Sequence, residues 1–349
     1  MLFIFRLKEI INQPSLINLN EDYIALNHQD PPALLVYGER LSKSILKSKF
    51  ILPTNIIDYF KLITHQPEAR FHFIEDHFKY SPLMLSGEDH RESRKKLSKL
   101  YTSIENNCQH WLSHFTQDFF AQLNPADQNF DPVFFIQKYI ASVFNQMILL
   151  ELELKDAVVP TYLGEILHMF RSIDELNEYE KKLEVLVRFI EDALIKQKKD
   201  PKDAWMLVTI AVMGTEPLLG AFFYGFMHEH PHNKAWDAFS LFRASSPVST
   251  LSRFLAKDAT IDGLHFKKDQ LIYLSPDLIH YKMKAFDASI PASKSYSFSD
   301  GPHTCPGLRI AMIIADAFML AWHEKKPIHL NLEKYQFQRD FILRPKIHG

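Results

Sequence analysis

The chain has 349 residues, of which 46% are apolar and 23% are charged, so a large packed core is possible and wholesale disorder is excluded. Lys and Arg number 40 against 42 Asp and Glu, a net charge of −2 that argues against nucleic-acid binding through a broad basic surface. The two cysteines, Cys108 and Cys305, are too few for a disulfide scaffold or an all-cysteine metal site. They fit a reducing, cytoplasmic location, and we expect no secretory signal at the N-terminus.

From about residue 55 to residue 227 the pattern is mainly helical. Three segments place apolar residues three and four positions apart, as an amphipathic helix requires: residues 108–122, 132–154 and 176–197. Cys108 falls within the first of these segments, and we interpret it as a small buried side chain.

The segment Ala204–Met227 is apolar throughout, with Glu216 as its single charge. It is long enough to cross a bilayer, which leaves a membrane span as one interpretation. A central helix buried on all sides is the interpretation we favour, because Glu216 and Pro217 lie in mid-segment, where a lipid-facing helix would not tolerate them. We therefore expect no membrane anchor.

Beyond Ser246 the pattern changes. Residues 251–256 and 270–275 are typical of short strands, with a turn at Asp262-Gly263 between them. A loop over residues 286–304 follows, then an apolar helix over residues 306–325 and a strand-like tail over residues 328–347. The sequence thus predicts a mainly α protein with a minor β portion, folded as a single domain over residues 1–349.

The most informative segment spans residues 298–307 and reads Phe-Ser-Asp-Gly-Pro-His-Thr-Cys-Pro-Gly, immediately before a predicted helix. A helix N-terminus stabilises a thiolate. Gly301 and Gly307 permit either close approach of a large flat group or a tight turn. Phe298 offers an apolar shield and His303 a donor to an anion. A heme held by a proximal cysteine has these requirements.

This segment resembles the heme-binding loop of the cytochrome P-450 family, Phe-x-x-Gly-x-(His or Arg)-x-Cys-x-Gly. The resemblance implies heme b as cofactor, Cys305 as the iron ligand, and Phe298, Gly301 and Gly307 as residues that contact the heme. It also implies four groups that bind the heme propionates, namely His90 and Arg94 on one face of an early helix, Arg253 after the family's K helix, and His303.

The chain departs from the family pattern at several positions. In the central helix the family's acid is kept as Glu216, but Pro217 stands where a threonine is usual. In the Glu-x-x-Arg segment Arg243 is kept and Ser240 replaces the acid, while Ile290 stands where a later arginine is expected. The chain is also short near its N-terminus and between the central helix and the K-helix region. It therefore resembles a short, atypical bacterial-type member.

The resemblance implies an oxidoreductase that activates oxygen at the Cys305-ligated heme to hydroxylate or oxidatively couple a small organic or carrier-bound substrate. Glu216 is the candidate catalytic residue, and a ferredoxin-type protein the candidate electron donor. The substrate pocket is expected to draw on the loop before Gly87 and on residues 212–216 and 247–250. Two alternatives stay open: a peroxide-using or rearranging heme enzyme that needs no redox partner, and a catalytically silent heme-binding or partner-recruiting protein.

Overall fold

The computed structural model describes residues 2–28, 30–54, 71–124, 130–154, 159, 173–228, 234–286, 296–325, 332–339 and 342–347. The chain divides into two compact units. The first comprises Met1–Thr54, Phe239–Cys305 and Phe337–Lys346, and the second comprises Asn55–Ala238, Pro306–Gln336 and Ile347–Gly349. A single domain over the whole chain stays a prediction.

The first unit is built on a five-stranded sheet. The strands of this sheet are β1 (Tyr23–Ala25), β2 (Leu34–Val36), β3 (Ile51–Pro53), β4 (Leu251–Leu255) and β7 (Leu271–Leu274). Two further strands, β5 (Ala259–Ile261) and β6 (Leu264–Phe266), pair with each other in a separate sheet. The sheet order is β1-β2-β7-β4-β3, in which only the β2–β7 pair is parallel. Its helices are α1 (Leu2–Asn12), α2 (Glu39–Lys47), α8 (Ala238–Ser245) and α9 (Pro276–Phe286).

The predicted strands over residues 251–256 and 270–275 are confirmed as β4 and β7. Between them lies a hairpin of two further strands, β5 and β6, which the sequence did not predict. Asp262 and Gly263 form its turn, with φ of 50° and 81° respectively. Both residues occupy the left-handed region that a two-residue hairpin turn demands, so the predicted turn is correct but joins β5 to β6.

The second unit is helical. Its helices are α3 (His72–Tyr80), α4 (Gly87–Ala121), α5 (Pro132–Glu151), α6 (Ile173–Lys196), α7 (Ala204–Met227) and α10 (Leu308–Lys325). Stacked rings hold α7 against α10, with the Phe222 and Phe318 centroids 4.2 Å apart. The strand-like tail is found as β8 (Tyr335–Arg339) and β9 (Leu343–Ile347), a two-stranded sheet whose residues belong mostly to the first unit. Residues 328–331 and 340–341 of that tail lie outside the described residues.

Among the residues that the structure describes, two helices are long and apolar enough to cross a membrane by length and composition alone. One is α5, whose most apolar window is 39% buried inside the protein, and the other is α7 with the turn before it, whose window is 83% buried. The second value supports our interpretation of Ala204–Met227 as a buried core helix. The helix continues through Pro217, although a proline removes one helical hydrogen-bond donor.

Candidate functional site

The cysteine loop runs from Tyr296 to Cys305 and is closed by its own backbone. The amide of Ser299 donates to the Tyr296 carbonyl (2.9 Å), and the amide of Cys305 donates to the Phe298 carbonyl (2.8 Å). Cys305 is half-buried and lies three residues before the first residue of α10. The loop therefore presents a thiol beside a helix start, as the sequence predicts.

Contacts within the protein explain why glycine is required at two positions of this segment, Gly301 and Gly307. Gly301 has φ of 69°, and a Cβ at this position would lie 2.5 Å from the carbonyl oxygen of Leu46 in α2. A Cβ on Gly307 would lie 3.0 Å from the ring of Tyr101 in α4. A tight turn, one of the two interpretations left open by the sequence, therefore accounts for Gly301. Gly307 has a cause that the sequence did not predict, its close packing against Tyr101. Their contact with a cofactor stays a prediction.

The start of the loop is fixed to α8. The Phe298 ring meets the ring of Phe242 edge-on, with centroids 4.9 Å apart at 72°. The hydroxyl of Ser297 donates to the carbonyl oxygen of the same Phe242 (2.6 Å). Phe298 is half-buried, so part of its ring stays available to a further group.

Arg253 is a buried cation on β4. It pairs in register with Pro53 of β3 and Ile272 of β7, and only 5% of its surface is exposed. Its guanidinium donates to the Ser252 carbonyl (2.8 Å), and burial lowers its pKa to about 10. In the described part of the chain no carboxylate pairs with it. A buried cation without a counter-charge is costly, so this position suits the carboxylate of a bound group.

His90 and Arg94 occupy successive turns of α4, as their spacing predicts. His90 is buried, and both this burial and the nearby Arg94 charge lower the pKa of its imidazole. The predicted propionate-binding residues thus fall in two places: His90 and Arg94 in the second unit, Arg253 and His303 in the first. His303 is half-buried and ends the 3₁₀ turn Gly301–His303.

The candidate catalytic residue Glu216 lies within α7, with 3% of its surface exposed. The neighbouring Thr215 directs its hydroxyl back to the Val212 carbonyl of its own helix (3.3 Å). Met213 and Pro217 lie four positions apart and are half-buried on a helix that is otherwise mostly buried. This part of α7 therefore combines a buried acid with a partly accessible face. The Thr215 hydroxyl is hydrogen-bonded to the backbone of the helix.

The segment predicted to line the pocket, residues 247–250, carries two buried hydroxyls. Neither Ser249 Oγ nor Thr250 Oγ1 has a hydrogen-bond partner among the residues that the structure describes. Buried hydroxyls are normally satisfied, so both suit a polar atom of a bound molecule.

Sequence reasoning missed two buried histidines, His77 on α3 and His280 on α9. Each lies in an ordinary helical pattern, and with 17 histidines scattered along the chain nothing in their spacing distinguishes them. Only the folded positions of their neighbours reveal their surroundings.

No protein-family model matches the sequence, and no curated protein matches it. Solved structures do match. BioI, a cytochrome P-450 in complex with an acyl carrier protein ligated to hexadec-9Z-enoic acid, is 14% identical, with a TM-score of 0.71 over 97% of this chain and 98% of that chain. CalO2 is 13% identical, with a TM-score of 0.71 over 96% of this chain and 94% of the CalO2 chain. The cytochrome P-450 CYP109B1 from Bacillus subtilis is 13% identical, with a TM-score of 0.64 over 98% and 97%.

The chain therefore has a cytochrome P-450-like fold, mainly helical with a small sheet portion, and the predicted fold class is confirmed. Because the similarity covers 97% of the chain in the first of these pairs, it extends into the first fifty residues.

Proposed function

We propose that this chain is a heme-thiolate oxidoreductase of the monooxygenase type. The observation that carries the proposal is the half-buried Cys305, held by the Phe298 carbonyl at the end of a closed loop before α10, in a chain with a cytochrome P-450-like fold. We also infer a cytoplasmic location, which the small number of cysteines supports.

The described residues fit a heme b group. Cys305 would ligate the iron, and Arg253 would pair with a propionate, since its buried guanidinium has no carboxylate partner among the described residues. His90, Arg94 and His303 would supply the remaining donors to the propionates. A heme held by a cysteine thiolate supplies oxygen activation for the oxidation of an organic substrate.

Glu216 is the residue we propose for proton handling. Its carboxyl is buried in α7 next to Pro217, whose missing amide leaves one helix carbonyl without its usual donor. The carboxyl oxygens of Glu216 would hold a proton for transfer, or bind a substrate amine or hydroxyl. A Glu216→Gln variant is expected to keep its heme and lose most product formation, with Thr215→Val as the control on the adjacent residue.

A carrier-bound acyl chain is the substrate class we propose to test first. The support is the structural similarity to BioI, which was solved with an acyl carrier protein. An electron donor of the ferredoxin type is supported by three exposed lysines on α4, Lys95, Lys96 and Lys99, which form a basic surface suited to an acidic protein.

The described α7 also favours a second candidate, a peroxide-using enzyme. Pro217 has no hydroxyl, and the Thr215 hydroxyl is bonded to Val212, so this stretch offers an acid without an available alcohol. A carboxylate in such a place suits the deprotonation of peroxide. A catalytically silent heme protein is the third candidate.

One experiment separates the three candidates. The purified protein is loaded with hexadec-9Z-enoyl acyl carrier protein, and products are measured by mass spectrometry after addition of either reduced ferredoxin or hydrogen peroxide. We expect oxidised product with reduced ferredoxin. Product with peroxide alone would favour the second candidate. A protein that contains heme and shows a substrate-induced spectral shift, yet forms no product with either, would favour the third.

A further inference from the structure

His280 connects α9 to the start of the cysteine loop and to the end of α8. Its side chain is 6% exposed, and both ring nitrogens are hydrogen-bonded. Nε2 lies 2.9 Å from the backbone nitrogen of Tyr296, and Nδ1 lies 2.9 Å from the hydroxyl oxygen of Ser246. The loop and α8 thus meet at one imidazole.

The direction of each hydrogen bond follows from the backbone. Because the Tyr296 amide is a donor, Nε2 must accept, and the proton of a neutral imidazole must then lie on Nδ1. Nδ1 therefore donates to Ser246, whose hydroxyl in turn donates to the Arg243 carbonyl (3.3 Å). Burial, with the Arg243 charge as a smaller cause, lowers the pKa of His280 to about 4, so the neutral form is the one present near pH 7.

A second link supports the same junction. Arg339 donates to the Ser245 carbonyl (3.1 Å) and lies 3.5 Å from the Asp277 carboxylate on α9. The last carbonyls of α8 are therefore bonded by groups from outside that helix, as helix ends require. Together the two links fix α9 and α8 in one arrangement.

Three consecutive loop residues are fastened at this junction. Tyr296 is bonded to His280, while Ser297 and Phe298 both contact Phe242 of α8. The Phe298 carbonyl then accepts from the Cys305 amide. His280 is therefore linked to the cysteine by its hydrogen bond with Tyr296, by the backbone from Tyr296 to Phe298, and by the hydrogen bond from Cys305 to Phe298.

We propose that His280 is a positioning residue, which fixes the cysteine loop onto α8 through Tyr296 and Ser246. It would act in the region where the family resemblance predicts a charged network. In this chain Ser240 replaces the acid of that network. Ile290, which stands where the later arginine is expected, lies outside the described residues. The proposal deepens the proposed function, since the loop it fixes carries the candidate iron ligand.

Two substitutions distinguish the effect of the His280 hydrogen bonds from the effect of its side-chain volume. His280→Phe fills the site with a ring that neither donates nor accepts. His280→Gln offers an amide oxygen that can accept from Tyr296. His77→Phe is the matched control, since His77 is likewise a buried histidine on a helix but has no hydrogen-bond partner for either ring nitrogen in the described part of the chain.

The measurement is amide hydrogen exchange of the full-length protein as purified, followed in peptides covering residues 296–305. We expect exchange in this loop to rise roughly tenfold in His280→Phe, because a buried donor is left unsatisfied. His280→Gln should restore most of the protection, and His77→Phe should leave it unchanged. Peptides from α5 should exchange equally in all four proteins.

Equal loop exchange in His280→Phe and the wild type would overturn the proposal, as would a His280→Gln variant no better protected than His280→Phe. The heme content of the wild type, read from its absorption spectrum, tests the proposed function separately. A wild type without heme would refute that function, whereas the loop exchange would still decide whether His280 positions the loop.

Discussion

The Arg253 guanidinium is buried without a carboxylate partner among the described residues, and this arrangement is unfavourable unless a bound anion compensates. Replacing it with a methionine of similar length removes both the desolvation cost and the proposed propionate contact. We therefore expect Arg253→Met to release heme to excess apomyoglobin about tenfold faster than the wild type, as the loss of a charge-assisted hydrogen bond predicts.

The control for this prediction is Lys257→Met, which removes an exposed cation from the residues just after β4. It should leave the rate of heme release unchanged. An Arg253→Met protein that keeps heme as tightly as the wild type would show that Arg253 does not bind a propionate.

His77 is completely buried against Phe78 and Trp205, and burial lowers its pKa to about 4. In the unfolded chain its pKa is about 6.5. Between pH 6.5 and pH 4 the unfolded state therefore binds a proton at His77, whereas the folded state does not. The free energy of unfolding must therefore fall as the pH drops from about 6.5 towards 4, by up to about 1.4 kcal/mol per pH unit for this residue.

His77→Phe should remove that contribution. The contribution of His77 is measured by urea unfolding of the wild type and the variant at pH 7, 6, 5 and 4.5. We expect the unfolding free energy of the wild type to fall further than that of the variant as the pH is lowered. His280 shares the lowered pKa and keeps its own contribution in both proteins, so it cancels. Parallel pH curves for the two proteins would contradict the assignment of His77 as neutral.

The helix α3 is held at its N-terminus by a residue of α6. The two carboxylate oxygens of Glu180 accept from the amides of Phe73 (2.8 Å) and Ile74 (3.0 Å). A carboxylate at this end also interacts favourably with the helix dipole. We expect Glu180→Ala to lower the free energy of unfolding by about 1–2 kcal/mol in urea titrations and to raise hydrogen exchange in α3.

Glu184→Ala is the matched control, one turn further along α6. Glu184 pairs with Arg188 on the same helix (2.8 Å), and exposed pairs of this kind contribute about 0.3–0.5 kcal/mol. If both variants lose the same small amount of stability, Glu180 does not fix α3.

Some helices of the second unit could be predicted because each carries its own signal in the sequence. The spacing of apolar residues identified α5 and α6 to within a few residues, and the position of Glu216 and Pro217 identified α7 as a core helix. The strands β5 and β6 are three residues long, too short for an alternating pattern to show. Only their turn residues, Asp262 and Gly263, were visible in the sequence.

The site could be predicted where a linear motif carries it, and not where distant residues meet. The order of residues from Phe298 to Gly307 pointed to the cysteine loop. The reason for Gly301 could not be read, because the carbonyl it must avoid belongs to Leu46, far away in the chain. The same holds for His280, whose partners Ser246 and Tyr296 come from separate segments.

At the level of the whole molecule, the proposed function depends on one cysteine, Cys305, as the iron ligand. Cys108 is a natural control, because it is buried in α4, where burial raises the pKa of its thiol to about 12. A buried thiol of this kind stays protonated and does not ligate a metal.

The most direct test is the absorption spectrum of the reduced protein with carbon monoxide, recorded for the wild type, Cys108→Ala and Cys305→Ala. We expect the red-shifted Soret band of a thiolate-ligated heme in the wild type and in Cys108→Ala, and its complete loss in Cys305→Ala. A Cys305→Ala protein that keeps this band would contradict the assignment of Cys305 as the ligand.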